Sequence, residues 1–112
     1  MAELLRNQGD DEGAEPLYCE ALAMRRTLYG PDDRLVGQAQ RDYGATLTAL
    51  QRYADAQEHL IAGHALLMAA FGKGHRSTRE SVTRLVELYE AWDKPEQAAE
   101  YRALLREPDP QN

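Results

Sequence analysis

Ala14, Ala56 and Ala98 lie forty-two residues apart, and each follows a polar, turn-like stretch: Asn7-Gln8-Gly9-Asp10-Asp11, Leu50-Gln51-Arg52-Tyr53 and Trp92-Asp93-Lys94-Pro95. Other positions keep the same register. Tyr29-Gly30 recurs as Phe71-Gly72, Leu5 as Leu47 and Tyr89, and Ala49 as Ala91. A fixed period of this size, filled by helical patterns and by no strand pattern, constrains the chain to an all-α solenoid of stacked antiparallel helix pairs. Each pair is too small to bury its own apolar face, so stacking supplies the core. Such arrays present surfaces; they rarely carry chemistry of their own.

Size and charge narrow the reading. The 112 residues suit one domain, and a 43% apolar fraction is enough to fold it. Cys19 is the single cysteine, so an intramolecular disulfide is impossible and a reducing, cytoplasmic setting is expected. The sequence has no apolar run of membrane-spanning length, and Met1-Ala2-Glu3-Leu4-Leu5-Arg6 is no basic-then-apolar leader, so no membrane association or secretory signal is expected. Thirteen basic against nineteen acidic residues give a net charge of −6, which opposes nucleic-acid binding because a basic face is needed to displace counterions. The sign varies along the chain: residues 1–33 carry −5, residues 34–76 carry +2 and residues 77–112 carry −3.

Spacing and punctuation predict six helices. From Glu12 to Tyr29 the apolar stripe is Ala14, Leu17, Ala21, Met24 and Leu28, with Asp10 or Asp11 as cap and Pro16 near the start. Gly30 ends this helix and Pro31 prevents resumption. Asp32 or Asp33 caps the next, which runs to about Leu50 with Val36, Ala39, Tyr43, Leu47 and Leu50 on one face. After a short turn at Gln51-Arg52, a helix carries Ala56, Leu60, Gly63, Leu67 and Ala70 and stops at Gly72-Lys73-Gly74. Ser77-Thr78-Arg79-Glu80 has capping-box spacing and starts a helix bearing Val82, Leu85, Leu88, Tyr89 and Trp92. The last presents Ala98, Tyr101, Leu104 and Leu105, and residues 107–112 form a frayed tail. Gly44 and Gly63 sit inside helices at a cost of about 1 kcal/mol each relative to alanine, which implies close helix packing there.

These residues resemble the tetratricopeptide repeat, in its forty-two-residue form typified by kinesin light chains and common in bacterial multidomain regulators. Gly9 to Arg26, with its Ala14-Glu15-Pro16-Leu17-Tyr18 core, matches the family's turn and second helix, and Leu28-Tyr29-Gly30-Pro31-Asp32-Asp33 matches its exit. The second unit matches through Arg52-Tyr53-Ala54-Asp55-Ala56, with Phe71-Gly72-Lys73-Gly74-His75 as a degraded exit; the third keeps Leu88-Tyr89, Lys94, Glu96, Ala98 and Ala99. The resemblance implies a right-handed solenoid with units at about 1–30, 31–72 and 73–106, the first lacking half of its first helix. Two departures stand out. Gln51 replaces the usual turn glycine, and the family's paired asparagines read Arg41-Asp42 and Thr83-Arg84.

No constellation points to catalysis, a metal or another cofactor. His59 and His64 are five residues apart and do not share a helix face, while His75 matches a loop histidine that the resemblance makes structural. Cys19 has no cationic neighbour in sequence to activate it. Gly72-Lys73-Gly74 lacks the strand and the trailing residues of a phosphate loop. The resemblance instead implies a concave groove lined by the first helix of each pair: Gln38, Arg41, Asp42, Ala45 and Thr48, then Glu80, Thr83, Arg84, Glu87 and Glu90, with Glu3 and Arg6 at the short end. The expected activity is non-enzymatic binding of a peptide or protein segment, read by hydrogen bonds and charge, within the C-terminal part of a larger regulator. Two alternatives remain open: a homo-oligomer in which open end faces stack or exchange hairpins, as the clipped first helix suggests, and an accessory role beside a catalytic domain such as a kinase.

Overall fold

In the computed structural model, residues 11–106 are described, with side chains from residue 13 onward. The expected half-helix before Gly9, the cap at Asp10, the groove positions Glu3 and Arg6 and the tail at 107–112 lie outside the described residues, while Asp11, the other cap candidate, is the first residue of its helix. The elements are α1 (Asp11–Tyr29), α2 (Arg34–Ala49), α3 (Tyr53–Phe71), α4 (Arg76–Ala91) and α5 (Pro95–Arg106). Helices α2 and α3 pack on each other, as do α4 and α5, with α1 against α2 and α3 against α4. Helix α2 also touches α4 directly, which places these first helices of successive pairs side by side in one layer, the arrangement of an all-α repeat solenoid.

Local chemistry explains each boundary. Asp33 is extended and accepts a hydrogen bond from the Leu35 amide at 2.8 Å, so it caps α2. Gly30 and Gly72, both at positive φ, end α1 and α3. The other two exits also take positive φ, without glycine: Gln51 has φ +64° and Asp93 φ +59°. Arg52 N donates to the Leu47 carbonyl and Lys94 N to the Tyr89 carbonyl, the six-to-one bonds that close such a turn. Helix α4 departs from expectation. Its cap is His75, whose Nδ1 accepts from the Ser77 amide at 3.0 Å, and not the Ser77-to-Glu80 box. An imidazole one residue ahead of Arg76 reaches the free amides first. The His75 ring also stacks on Phe71 at 4.1 Å, tying the end of α3 to the start of α4.

The larger core cluster joins Leu47, Ala56, Leu60, Leu85, Leu88, Tyr89 and Ala98 from four helices, with Tyr53, Trp92 and Tyr101 packed at its edge. A smaller one joins Leu22, Val36 and Ala39, and Tyr43 contacts both. Close packing of α2 on α3 depends on glycine. A Cβ at Gly44 would lie 2.5 Å from Leu60 Cγ, a separation no packed pair tolerates, and so Leu60 can be fully buried.

Helix α1 corrects the sequence stripe. Its buried residues are Ala14 and Leu22, whereas Leu17, Met24 and Leu28 are 41%, 60% and 68% exposed. The stripe is the side that the first helix of a pair covers elsewhere: in the second unit, α2 covers Gly63 and Leu66, which stand forty-two residues beyond Ala21 and Met24. Leu22 instead faces the next unit through Val36 and Ala39.

A candidate peptide-binding groove between α2 and α4

Helical periodicity brings residues 38, 41, 42, 45 and 48 to one side of α2 and residues 80, 83, 84, 87 and 90 to one side of α4. Direct contact between the helices makes one surface of the two sets. A chain of ion pairs crosses it. Arg41 Nε donates to Asp42 Oδ1 at 3.2 Å and lies 3.8 Å from Glu80 Oε2. The same carboxylate lies 3.7 Å from Arg84 Nη2, and Arg84 Nη1 donates to Glu87 Oε1 at 3.0 Å. Glu80 therefore joins the two arginines and links α2 to α4. Among the described residues, Arg84 Nε is buried and has no acceptor.

The remaining positions differ in availability. Gln38, Thr48 and Thr83 are half-buried, while Ala45 is buried. Thr48 Oγ1 donates to the Gly44 carbonyl at 2.9 Å and Thr83 Oγ1 to the Arg79 carbonyl at 3.2 Å, so both hydroxyl protons are spent on their own helix. Glu90 pairs with Arg102 of α5. These two line an open cleft of about 250 Å³ with Asp93, Lys94, Pro95 and Ala98 at one end of the surface.

Spacing alone did not disclose the inter-unit contacts, although the repeat holds the signal for the main one. Glu80 is the counterpart of Gln38, so Arg41 meets the next unit one helical turn before its own counterpart. Other polar residues reinforce the stack away from this surface. Tyr43 Oη donates to Glu15 Oε2 at 2.6 Å, and burial together with that bond raises its phenol pKa far above the ordinary value. Tyr89 Oη donates to Gln57 Oε1 at 2.9 Å, and burial raises its pKa as well. Arg79 Nη2 donates to the Leu105 carbonyl at 2.6 Å, satisfying an orphan acceptor near the end of α5.

Ser81 Oγ donates to the Thr78 carbonyl at 2.6 Å, so His64 Nδ1 must be the donor in its 2.8 Å contact with that hydroxyl. Nδ1 therefore carries a proton, and burial lowers the ring's pKa, which favours its neutral form. His59 packs on Tyr43 at 4.8 Å; burial first and the nearby Arg26 second lower its pKa, against weaker opposing effects of Glu58 and Asp55. The aromatic residues expected to pack do so, with Trp92 between Tyr53 and Tyr89 and beneath Lys94 Nζ.

Stacked antiparallel pairs, positive-φ exits at equivalent positions and one face built from alternate helices define a helical-repeat protein. The chain belongs to the tetratricopeptide repeat family, whose model matches residues 1–61, more than half of the 112. No curated protein matches it. Repeats of this family generally mediate protein–protein interactions and are typically non-catalytic.

Proposed function

We propose that this chain is a non-enzymatic interaction module that takes an extended segment of a protein partner along the surface shared by α2 and α4. The observation that carries the reading is the continuity of that surface. Arg41, Glu80 and Arg84 bridge the two helices, with Gln38, Thr48 and Thr83 half-buried beside them. Held polar groups on a continuous surface suit a main chain that needs partners for its own amides and carbonyls. Affinity capture with Thr83→Trp tests the reading, since a bulky ring would obstruct the surface. The partners retained by the unaltered chain should be lost with Thr83→Trp and kept with Glu100→Trp on the outer helix α5. Retention by both variants rules this surface out.

A second reading is favoured by one observation. Met24 and Leu28, with Ala23 and Thr27, line an open apolar hollow of about 340 Å³ on α1. Apolar surface of this kind supports association between copies. Sedimentation over a concentration series should then show dimers that Met24→Glu/Leu28→Glu abolishes. A strict monomer at high concentration contradicts this reading.

A further inference from the structure

The groove residues include two arginines, and by composition alone they suit an acidic ligand as well as a basic one. Their arrangement separates the alternatives. Arg41 is 11% exposed and Arg84 25%, whereas the carboxylates that face them, Asp42, Glu80 and Glu87, are 41%, 42% and 53% exposed. Each guanidinium is drawn in between two carboxylates: Arg41 between Asp42 and Glu80, Arg84 between Glu80 and Glu87. The cations are compensated beneath the surface and the anions stand above it. Two guanidinium charges against three carboxylates leave this set with one net negative charge.

Hydrogen-bond supply points the same way, independently of charge. Thr48 and Thr83 spend their only side-chain protons on carbonyls one turn back, so toward a ligand each hydroxyl offers lone pairs. Arg84 Nη1 donates to Glu87, while Nη2 is ion-paired with Glu80 at 3.7 Å. The exposed carboxylates are acceptors only. The exposed groups of the surface are mostly acceptors, namely the three carboxylates and the two threonine oxygens, with the Gln38 amide offering both.

We infer that the groove selects a basic, donor-rich segment: an extended peptide whose lysine or arginine side chains reach Asp42, Glu80 and Glu87 while its amides meet the threonine oxygens. This rests on the groove reading above. An acidic segment would face the exposed carboxylates first and would have to break the two ion pairs that each arginine makes, a double cost in repulsion and lost contacts.

The test uses the whole chain, isotope-labelled, with two capped short-peptide libraries that differ only in carrying lysine or glutamate at fixed positions. Amide shifts should move for residues of α2 and α4 with the lysine library and not with the glutamate library. Neutralising Glu87 alone, by Glu87→Gln, should weaken the lysine response roughly two- to fivefold, as for one exposed charge pair. Glu80→Gln should weaken it at least as much, with melting curves checking that the fold survives. Glu96→Gln/Glu100→Gln on α5 should leave it unchanged, which separates groove recognition from attraction to the net charge. Equal or stronger shifts in α2 and α4 with the glutamate library overturn the basic preference and leave the groove standing. Shifts confined to other helices, or none with either library, overturn both.

Discussion

A Cβ built on Gly63 would lie 2.8 Å from the Gly37 carbonyl oxygen and 3.1 Å from the Arg41 amide nitrogen. Both are backbone atoms, so Gly63→Ala can be accommodated only by moving α3 away from α2. Overpacking of this kind costs about 1–3 kcal/mol, partly offset by about 1 kcal/mol of helix propensity. Urea unfolding should therefore show Gly63→Ala destabilised by roughly 1–2 kcal/mol; a more stable variant would mean that the helices are not held this close. Gln51 presents the opposite case. Its left-handed backbone carries a side chain where the other repeat exits of α1 and α3 use glycine. Gln51→Gly removes a clash worth roughly 1–2 kcal/mol and adds some unfolded-state entropy, so it should stabilise the chain by up to about 1 kcal/mol. An unchanged or lower unfolding midpoint would show that this turn stores no strain.

At the scale of the helix, the histidines of α3 make stability sensitive to mild acid. His59 and His64 sit at its junctions with α2 and with α4, and burial lowers the pKa of each from 6.5. In the unfolded chain both titrate near the ordinary value, so on acidification the unfolded state takes up protons first. Their contribution is complete above about pH 6.5 and is lost as pH falls below it toward the lowered folded values. Melting temperatures should drop between pH 7.5 and pH 5.5, and the drop should shrink in His59→Gln and His64→Gln. An unchanged slope in both variants would assign the acid sensitivity to carboxylates. Helix positions were legible in the sequence because glycine, proline and aspartate mark most of the ends, the Leu50-Gln51-Arg52 turn being the exception. The buried face of α1 was not. Period counting puts Ala14, Leu17, Ala21, Met24 and Leu28 on one stripe, yet of these only Ala14 is buried, and the neighbouring helix decides that Leu22 is inside and Met24 outside. Likewise the Ser77 box obeyed local rules and lost to His75, which stands closer to the first free amides.

Across the whole molecule, the repeat made the layer of first helices legible, and with it the residues that share the α2–α4 surface. It did not reveal that Arg41 would reach Glu80, the i,i+4 partner of Arg84, because that contact joins units offset by a turn. The core follows the same plan: Leu47, Leu60, Leu85 and Leu88 belong to both pairs at once. Leu85→Ala should consequently cost about 2–5 kcal/mol and loosen α3 as well as α4, visible as faster amide exchange in both helices. Exchange confined to α4 would mean that the pairs are held together by something other than this core. The central claim, that α2 and α4 together form the interaction surface, is tested most directly by hydrogen exchange of the chain with and without a captured partner. The account predicts added protection in residues 34–49 and 76–91 and little change in residues 11–29, 53–71 and 95–106. Protection concentrated on α1, α3 or α5, with α2 and α4 unchanged, would contradict it.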